Sequence, residues 1–120
     1  MNESRYKIDI KNRCYKFSLK IIEMADLLPK KRSAWIIEDQ VVRSATSIGA
    51  NLIEAKASSS RLEFKKFNEI ALKSANETIY WLGLLKDSKF IEPTIIESLM
   101  DEVIQISKML ASGIMKLKNS

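Results

Sequence analysis

The stretch RSATSIGANLIEA, Arg43 to Ala55, decides how this chain folds. It lies in the middle of a longer segment whose apolar residues recur at helical spacing. From Gln40 to Ile53 the only charged side chain is Arg43, whereas charged residues make up 29% of the chain. A helix with one face in solvent should carry more charge than this. The composition therefore indicates a helix that is covered on two sides, by its own bundle and by something else.

The same segment divides into two arcs when its positions are stepped at 100° per residue. One arc is apolar and would face the core of its own bundle. The other arc is polar but nearly uncharged, and it contains Gln40, Arg43, Ser44, Ser47, Asn51 and Glu54. We expect another copy of the chain to cover this polar arc, because homo-oligomers are the common case. A partner protein and the extended N-terminus are the alternative covers.

Apolar residues at helical spacing predict four helices over most of the chain. We expect Ser33 to cap the second helix, and the capping box formed by Ser60 and Glu63 to open the third. The predicted helices are Asp9 to Leu28, Ser33 to Ala57, Ser60 to Asp87, and a fourth from Glu92 onwards. Long helices with short connections favour an all-α, antiparallel up-down-up-down four-helix bundle. The whole chain, 1–120, then forms a single domain in which residues 1–8 are a loose N-terminus.

Each helix has a stripe of residues that should face the core. In the first helix this stripe is Ile10, Cys14, Phe17, Ile21, Met24 and Leu28. In the fourth it is Ile96, Met100, Val103, Ser107, Leu110, Ile114 and Leu117.

The composition is typical of a soluble helical protein. A chain of 120 residues with 46% hydrophobic residues is long enough to bury a core, and three Gly and two Pro argue against a many-stranded β fold. The single cysteine, Cys14, allows no internal disulfide. No N-terminal segment resembles a signal peptide, and the apolar runs are too short to span a bilayer. We therefore expect a cytoplasmic, bacterial-type protein with no membrane partner.

Positive charge is unevenly distributed along the chain, whose net charge is +5. Residues 1–32 hold nine Lys and Arg against four Asp and Glu, whereas residues 33–120 hold eleven of each. This basic segment and the loop Pro29 to Arg32 could attract phosphate groups, and a solvated helix followed by a basic turn is the ordinary alternative. With two lysines of the third helix, the candidate residues for binding RNA or DNA are Lys11, Arg13, Lys16, Lys20, Lys30, Lys31, Arg32, Lys66 and Lys73.

The third helix is also poor in charge, since Glu77 is the only charged residue between Ser74 and Leu85. Arg43 and Glu77 are thus two charges in surroundings that carry few others. A desolvated charge needs a partner, so we expect these two side chains to pair, within one chain or between chains. An exposed pair of Arg43 with Asp39 one helical turn away is the alternative. Glu77 accordingly joins the polar arc as part of an oligomer interface or a buried polar stripe.

Most catalytic chemistries do not fit this composition. The chain has no histidine, which excludes serine–histidine and cysteine–histidine nucleophiles and the glutamate–histidine pairs of di-iron bundles. There is no glycine-rich phosphate loop, and one cysteine without histidine does not suit a zinc site. Glu54, Glu63 and Glu77 could meet as a carboxylate cluster, although capping and ion pairing are their ordinary roles. We expect no enzymatic activity, no metal and no cofactor.

The central segment carries a recognisable motif of the form Q-x-x-R-x-x-x-S-I-x-x-N-x-x-E followed by a serine break and E-F-x-x-F-x-x-I-A-x-x-S-x-x-E. Here it is formed by Gln40, Arg43, Ser47, Ile48, Asn51, Glu54, Glu63, Phe64, Phe67, Ile70, Ala71, Ser74 and Glu77. This pattern resembles the large-subunit (23S) rRNA intervening-sequence protein family. The sequence departs from the family at Ala55 and at Lys73, where the family usually or often has glycine.

The resemblance implies a four-helix bundle that assembles into a homopentameric ring and has no known catalytic activity. It also implies an accessory or scaffold role, because the family is similar to accessory proteins of diversity-generating retroelements, which bind a reverse transcriptase and nucleic acid. We therefore expect a non-enzymatic oligomeric scaffold that binds RNA or DNA through basic surfaces. The alternative is an oligomeric accessory module that binds only protein.

Overall fold

The computed structural model describes the backbone of residues 3–118 and the side chains of residues 9–118. This part of the chain forms four α-helices and no strand, which confirms the all-α prediction. The helices are α1 (Glu3–Ala25), α2 (Arg32–Lys56), α3 (Arg61–Ser88) and α4 (Pro93–Lys118). The connections 26–31, 57–60 and 89–92 are short, so each helix runs back along the one before it.

The helices pack as a four-helix bundle with overall dimensions of 47 × 25 × 20 Å. α1 contacts α2 and α4, and α3 contacts the same two helices from the opposite side. The bundle has two ends. We call the end that contains the connections 26–31 and 89–92 the two-loop end. The end that contains the connection 57–60 is the serine-loop end, where α1 begins and α4 finishes.

The first helix begins earlier than the spacing of core residues indicated. α1 starts at Glu3 rather than at Asp9, so its backbone includes most of the segment 1–8 that was expected to be a loose N-terminus. Met1 and Asn2, the rest of that segment, lie outside the described residues. The core stripe could not show this extension, because its first member is Ile10.

The predicted cap of α2 is wrong, and that of α3 is confirmed. Lys31 is the N-cap of α2 and its side chain makes no capping hydrogen bond, while Ser33 lies inside the first turn. The reason is a tight turn after Pro29, in which the Lys31 amide donates to the Pro29 carbonyl, so that the helix begins at once. At α3 the Glu63 amide donates to Ser60 Oγ at 3.1 Å, as a capping box requires.

The core contains the whole predicted stripe of α1, while that of α4 is partly corrected. Every residue of the stripe predicted for the first helix, from Ile10 to Leu28, is buried, although α1 ends at Ala25 rather than at the predicted Leu28 and so leaves Leu28 in the connection. In α4, Leu99 and Ile106 are buried, whereas the predicted Met100 and Ser107 are only half-buried. The buried face of α4 is shifted towards the neighbouring positions because this helix packs against α1 on one flank and α3 on the other.

Candidate interaction surfaces

The polar arc of α2 lies against α3 of the same chain. Ser44 is completely buried, and its Oγ accepts a hydrogen bond from Thr78 Oγ1 at 2.9 Å. One turn further on, Ser47 Oγ and Ser74 Oγ are 3.0 Å apart, and Asn51 donates to Ser47 Oγ at 2.9 Å. Within the described residues no buried polar side-chain atom lacks a hydrogen-bond partner. The expectation of a cover from outside the bundle is therefore corrected for this inner part of the arc, because short hydroxyl side chains let α3 approach closely enough to cover it.

Arg43 and Glu77 form the expected ion pair within one chain, at the outer edge of this seam. The Arg43 guanidinium also donates to Gln40 Oε1, and the Glu77 carboxylate accepts from Trp81 Nε1 at 2.7 Å. Arg43 thus pairs with Glu77 rather than with the alternative partner, Asp39. The two charged side chains are 57% and 36% exposed, so the pair should add less than about 1 kcal/mol to stability. Glu54, the last residue of the polar arc, is exposed.

A line of large apolar side chains is exposed on α1 and α2. Tyr15, Leu19 and Ile22 follow each other at helical spacing on α1 and are 69%, 47% and 45% exposed. On α2, Trp35 and Ile53 are more than half exposed, and they share one side of the helix because 18 residues make five full turns. We call these five residues the α1–α2 face.

α1 and α2 approach each other most closely beneath this face. A Cβ atom added to Gly49 of α2 would lie 3.3 Å from Cys14 Cβ of α1. Gly49 is about 40° around α2 from the line of Trp35 and Ile53, so that line runs along the α1 flank of α2. The exposed residues of the two helices therefore border the same seam.

A second exposed apolar surface lies on the opposite flank of α2. Ile36 precedes Arg43 by two turns, and Leu84 follows Glu77 by two turns. Because α2 and α3 are antiparallel and meet at the Arg43–Glu77 pair, Ile36 and Leu84 come to the same level of the bundle. Tyr80 lies between this level and that of the ion pair, and it is 61% exposed and packed edge-on against Trp81. Ile36, Tyr80 and Leu84 are the α2–α3 face.

Three of the candidate nucleic-acid-binding residues lie on the seam between α1 and α4, opposite carboxylates. Arg13 binds Glu102 through Nε at 3.1 Å and Nη2 at 2.6 Å, and this hydrogen-bonded pair raises the pKa of the Arg13 guanidinium. Lys20 borders a groove of about 450 Å³ whose other side includes Asp101 and Glu102. Lys16 borders a second groove on this seam, next to Arg13. A phosphate group on this side of the bundle would meet negative charge beside the positive charge.

The remaining candidate cations are distributed over separate surfaces. Lys30, Lys31 and Arg32 are exposed at the two-loop end, where Lys31 Nζ lies 6.0 Å from the centre of the Phe90 ring. Lys66 and Lys73 are exposed on the outer side of α3, and Lys11 is half-buried on α1. The fold therefore does not bring the nine candidates together into one surface.

Two surfaces were not recognised from the sequence. The α1–α2 face has a local signal, the apolar spacing of Tyr15, Leu19 and Ile22, which forms a second stripe beside the core stripe of α1. Of the cations at the serine-loop end, Lys66 was a candidate, but no local signal groups it with the others. They come from α2, α3 and α4, and only the fold places them side by side.

The described residues include one buried thiol and no cluster of metal-ligating side chains. Cys14 is completely buried, and burial raises the pKa of its thiol to about 12. Within residues 9–118, histidine, cysteine and carboxylate side chains form no group of three that could hold a metal ion. Across the described helices, no segment is both long and apolar enough to cross a bilayer.

The fold and these surfaces define a class, the antiparallel four-helix bundles with a polar helix–helix seam and exposed apolar flanks. Residues 6–112 match the family described as 23S rRNA-intervening sequence protein. The chain belongs to this family. Among curated proteins, none matches the chain.

A solved structure is similar over nearly the whole chain. It is the 1.70 Å crystal structure of a protein with unknown function from the S23 ribosomal protein family of Bacteroides thetaiotaomicron VPI-5482. The two chains share 36% sequence identity, with a TM-score of 0.84. The match covers 91% of this chain and 97% of the other.

Proposed function

We propose that this protein is a non-enzymatic, cytoplasmic scaffold that assembles from several copies of itself and binds RNA or DNA through basic surfaces. The observation that carries the proposal is the pair of exposed apolar faces on either flank of α2. A soluble monomer seldom exposes large apolar side chains in continuous stripes, and such stripes commonly mark a protein interface. A second copy of the chain is the simplest partner for these faces, because it requires no other protein.

The two faces favour a head-to-tail assembly. An interface with twofold symmetry uses the same surface on both subunits, whereas a head-to-tail interface joins two different surfaces and gives a ring when the rotation between protomers closes. The α1–α2 face has five large apolar residues and the α2–α3 face has three, on different sides of the bundle. We propose that the α1–α2 face of one protomer packs on the α2–α3 face of the next. A ring of five protomers is the assembly that the family resemblance implies.

The absence of catalysis is part of the same proposal. The sequence offers no histidine to activate a hydroxyl or thiol. Ser47 and Ser74 hydrogen-bond to each other, and the hydroxyl of Ser44 donates to the Val41 carbonyl. These contacts are those of groups that hold two helices together, and they support a structural role for the hydroxyls of the seam.

Nucleic acid is the favoured additional partner for two reasons. The chain carries a net charge of +5, and a ring would multiply this charge. The family description refers to an intervening sequence of 23S rRNA, and the structural relative is assigned to a ribosomal protein family. The alternative is an accessory module that binds only protein. Salt separates the two, because phosphate binding weakens steeply as salt rises and apolar contacts do not.

The test of the assembly is size-exclusion chromatography with light scattering, recorded at protein and nucleic-acid wavelengths. We expect a mass several times the 13.7 kDa of one chain, close to fivefold for the ring. Leu19→Glu should lower this mass, because it places a charge in the α1–α2 face. Leu62→Glu is the matched control, since Leu62 is 75% exposed but belongs to neither face. A wild-type monomer would contradict the proposal, and so would an equal loss of mass in both variants.

A further inference from the structure

Net positive charge is concentrated at the serine-loop end of the bundle. This end comprises the first two turns of α1, the last turn of α2, the connection 57–60, the first two turns of α3 and the last turn of α4. Among the side chains that the structure describes, it holds three carboxylates, Asp9, Glu54 and Glu63. Its cations are Lys56, Arg61, Lys65, Lys66, Lys116 and Lys118. Six positive charges against three negative charges leave a net charge of +3 on these described side chains.

The two-loop end has no such excess, although it contains the basic loop that stands out in the sequence. Over the corresponding turns its cations are Lys30, Lys31, Arg32, Lys86 and Lys89, and its carboxylates are Glu23, Asp26, Glu38, Asp87, Glu92 and Glu97. Five positive charges against six negative charges give −1. The long axis of the bundle is 47 Å, several times the Debye length of about 8 Å at physiological salt, so each end acts on its surroundings separately.

Helix stability does not account for all the cations of the serine-loop end. Lys56, Lys116 and Lys118 lie in last turns, where positive charge complements the partial negative charge of a helix C-terminus. Arg61 lies in the first turn of α3, where positive charge is not favoured, and Lys65 and Lys66 lie in the second turn, beyond the reach of the charge at the helix end. The partial charge of the helix end therefore favours none of these three cations.

Most of these cations are available to a partner. Within residues 9–118, no ion pair involves Lys56, Lys65, Lys66, Lys116 or Lys118. Arg61 is held by its contact with α4, since its Nη2 donates to the Leu117 carbonyl at 3.1 Å. This hydrogen bond ties the start of α3 to the end of α4 and so keeps the lysines of both helices on one surface.

We propose that the serine-loop end binds the phosphodiester backbone of a nucleic acid, which deepens and rests on the nucleic-acid part of the proposed function. Lysine ammonium groups recognise phosphate as point charges, without reading bases. Phe64 and Phe67 are the aromatic residues described at this end, and both are half-buried rather than exposed as a platform for base stacking. The binding is therefore independent of sequence, and RNA and DNA of the same length bind similarly.

The experiment measures fluorescence anisotropy of labelled single-stranded RNA, and of DNA of the same sequence, over a salt series. The test variant combines Lys65→Gln, Lys66→Gln and Lys118→Gln. The matched control combines Lys86→Gln, Lys89→Gln and Lys108→Gln, which removes the same charge outside the serine-loop end. We expect the slope of log affinity against log salt to become shallower by about 2 in the test variant, because each phosphate that the protein neutralises adds about 0.7 to this slope. The control should keep the wild-type slope.

Each outcome separates this proposal from the scaffold proposal, provided that the mass of every variant is measured by light scattering. Equal losses of affinity in both variants would mean that only net charge matters and would overturn the site. A wild-type assembly that binds neither RNA nor DNA would overturn the site and leave the scaffold standing. A wild-type monomer whose binding depends on the serine-loop end would support the site and reject the scaffold. Binding to phosphatidylglycerol vesicles without binding to nucleic acid would also overturn the site.

Discussion

Single hydroxyl groups determine how α2 meets α3. Ser44 and Thr78 are completely buried, a costly location for polar side chains unless their hydrogen bonds are satisfied. Ser44 donates to the Val41 carbonyl of its own helix. The single hydroxyl proton of Thr78 is shared between Ser44 Oγ at 2.9 Å and the Ser74 carbonyl of its own helix at 2.7 Å. A larger apolar residue at either position would have to displace the neighbouring helix. The seam is therefore formed by small hydroxyl side chains, which let the two helices lie close together.

Cys14 gives the residue-scale prediction. Burial raises the pKa of its thiol from 9.0 to about 12, and Glu102 adds to this while Arg13 opposes it. Since the thiolate is the reactive form, native Cys14 should not react with Ellman's reagent at about pH 8. Full reactivity should appear only when denaturant unfolds the chain. Rapid reaction of the native protein would show that the α1–α2 seam opens readily.

The raised pKa of the Cys14 thiol also makes the contribution of this residue to stability fall as pH rises. The folded state holds the Cys14 proton more tightly than the unfolded state, so this contribution is complete below about pH 9 and is lost as pH rises towards 12. Lysines and tyrosines also titrate in this range. The readout is therefore the difference in the free energy of unfolding between the wild type and Cys14→Ala, measured by urea unfolding at each pH. A difference that stays constant from pH 9 to 12 would contradict the raised pKa.

At the residue scale, the sequence indicated which charged side chains need a partner more reliably than it indicated which residue the partner is. The pairing of Arg43 with Glu77 followed from the scarcity of other charges around both. Arg13 was expected to be a free cation, yet it binds Glu102, which lies 89 residues away in the chain. A partner of this kind belongs to the packing of α1 against α4, and no local pattern indicates which carboxylate will face which arginine.

At the scale of elements, α1 is attached to α4 through Arg13. Its guanidinium holds Glu102 with two nitrogens, Gln105 Oε1 with Nη2 at 2.8 Å and Met109 Sδ with Nη1 at 3.1 Å. These three acceptors lie on successive turns of α4. The same seam contains the two grooves of the bundle, so the arginine spans a boundary where the two helices leave open space.

Arg13→Lys should weaken this attachment although it keeps the charge. A lysine ammonium cannot reproduce the bidentate geometry of a guanidinium or reach all three acceptors at once. We expect the free energy of unfolding to fall by about 1 kcal/mol, the typical net value of such hydrogen bonds. Urea unfolding followed by circular dichroism measures it. Lys16→Arg is the control, because Lys16 is exposed on the same helix. Unchanged stability of Arg13→Lys would mean that the attachment contributes little.

Element types were predictable because apolar spacing is a strong local signal, but the orientation of each helix was not. The polar arc of α2 was correctly identified as unusual, and yet its cover is α3 rather than a second copy over Ser44 and Ser47. Composition shows that a surface is buried without showing what buries it. Similarly, the buried side of α4 is set by two neighbours at once, which shifts it to include Leu99 and Ile106.

At the scale of the whole molecule, positive charge is in excess at different places along the sequence and on the folded surface. The sequence places its excess of positive charge in residues 1–32. The fold puts the loop cations Lys30, Lys31 and Arg32 beside carboxylates from three other segments and gathers six other cations at the opposite end. Antiparallel helices cause this, because they bring together residues that are far apart in sequence. Charge runs in a helical sequence therefore have to be summed over ends and flanks before they indicate a partner.

The arrangement of protomers gives the last prediction. If the assembly is head-to-tail, Leu19→Glu damages the α1–α2 face but leaves the α2–α3 face intact, and Tyr80→Glu does the reverse. Each variant alone should have a low mass by light scattering, because every contact would then join an intact face to a damaged one. An equimolar mixture should form a heterodimer of about twice the 13.7 kDa chain, joined through one intact pair of faces, and should stop there.

Symmetric pairing predicts a different result for the same mixture. If each face packed against its own copy, the two variants would each form dimers alone through their undamaged face, and mixing would change nothing. The control is a mixture of Leu19→Glu with Ile22→Glu, which damages the same face in both partners and should give no heterodimer. A heterodimer in the control, or its absence from the Leu19→Glu and Tyr80→Glu mixture, would contradict the head-to-tail ring. The mixture thus tests which faces meet, and a measured mass of the wild type alone does not.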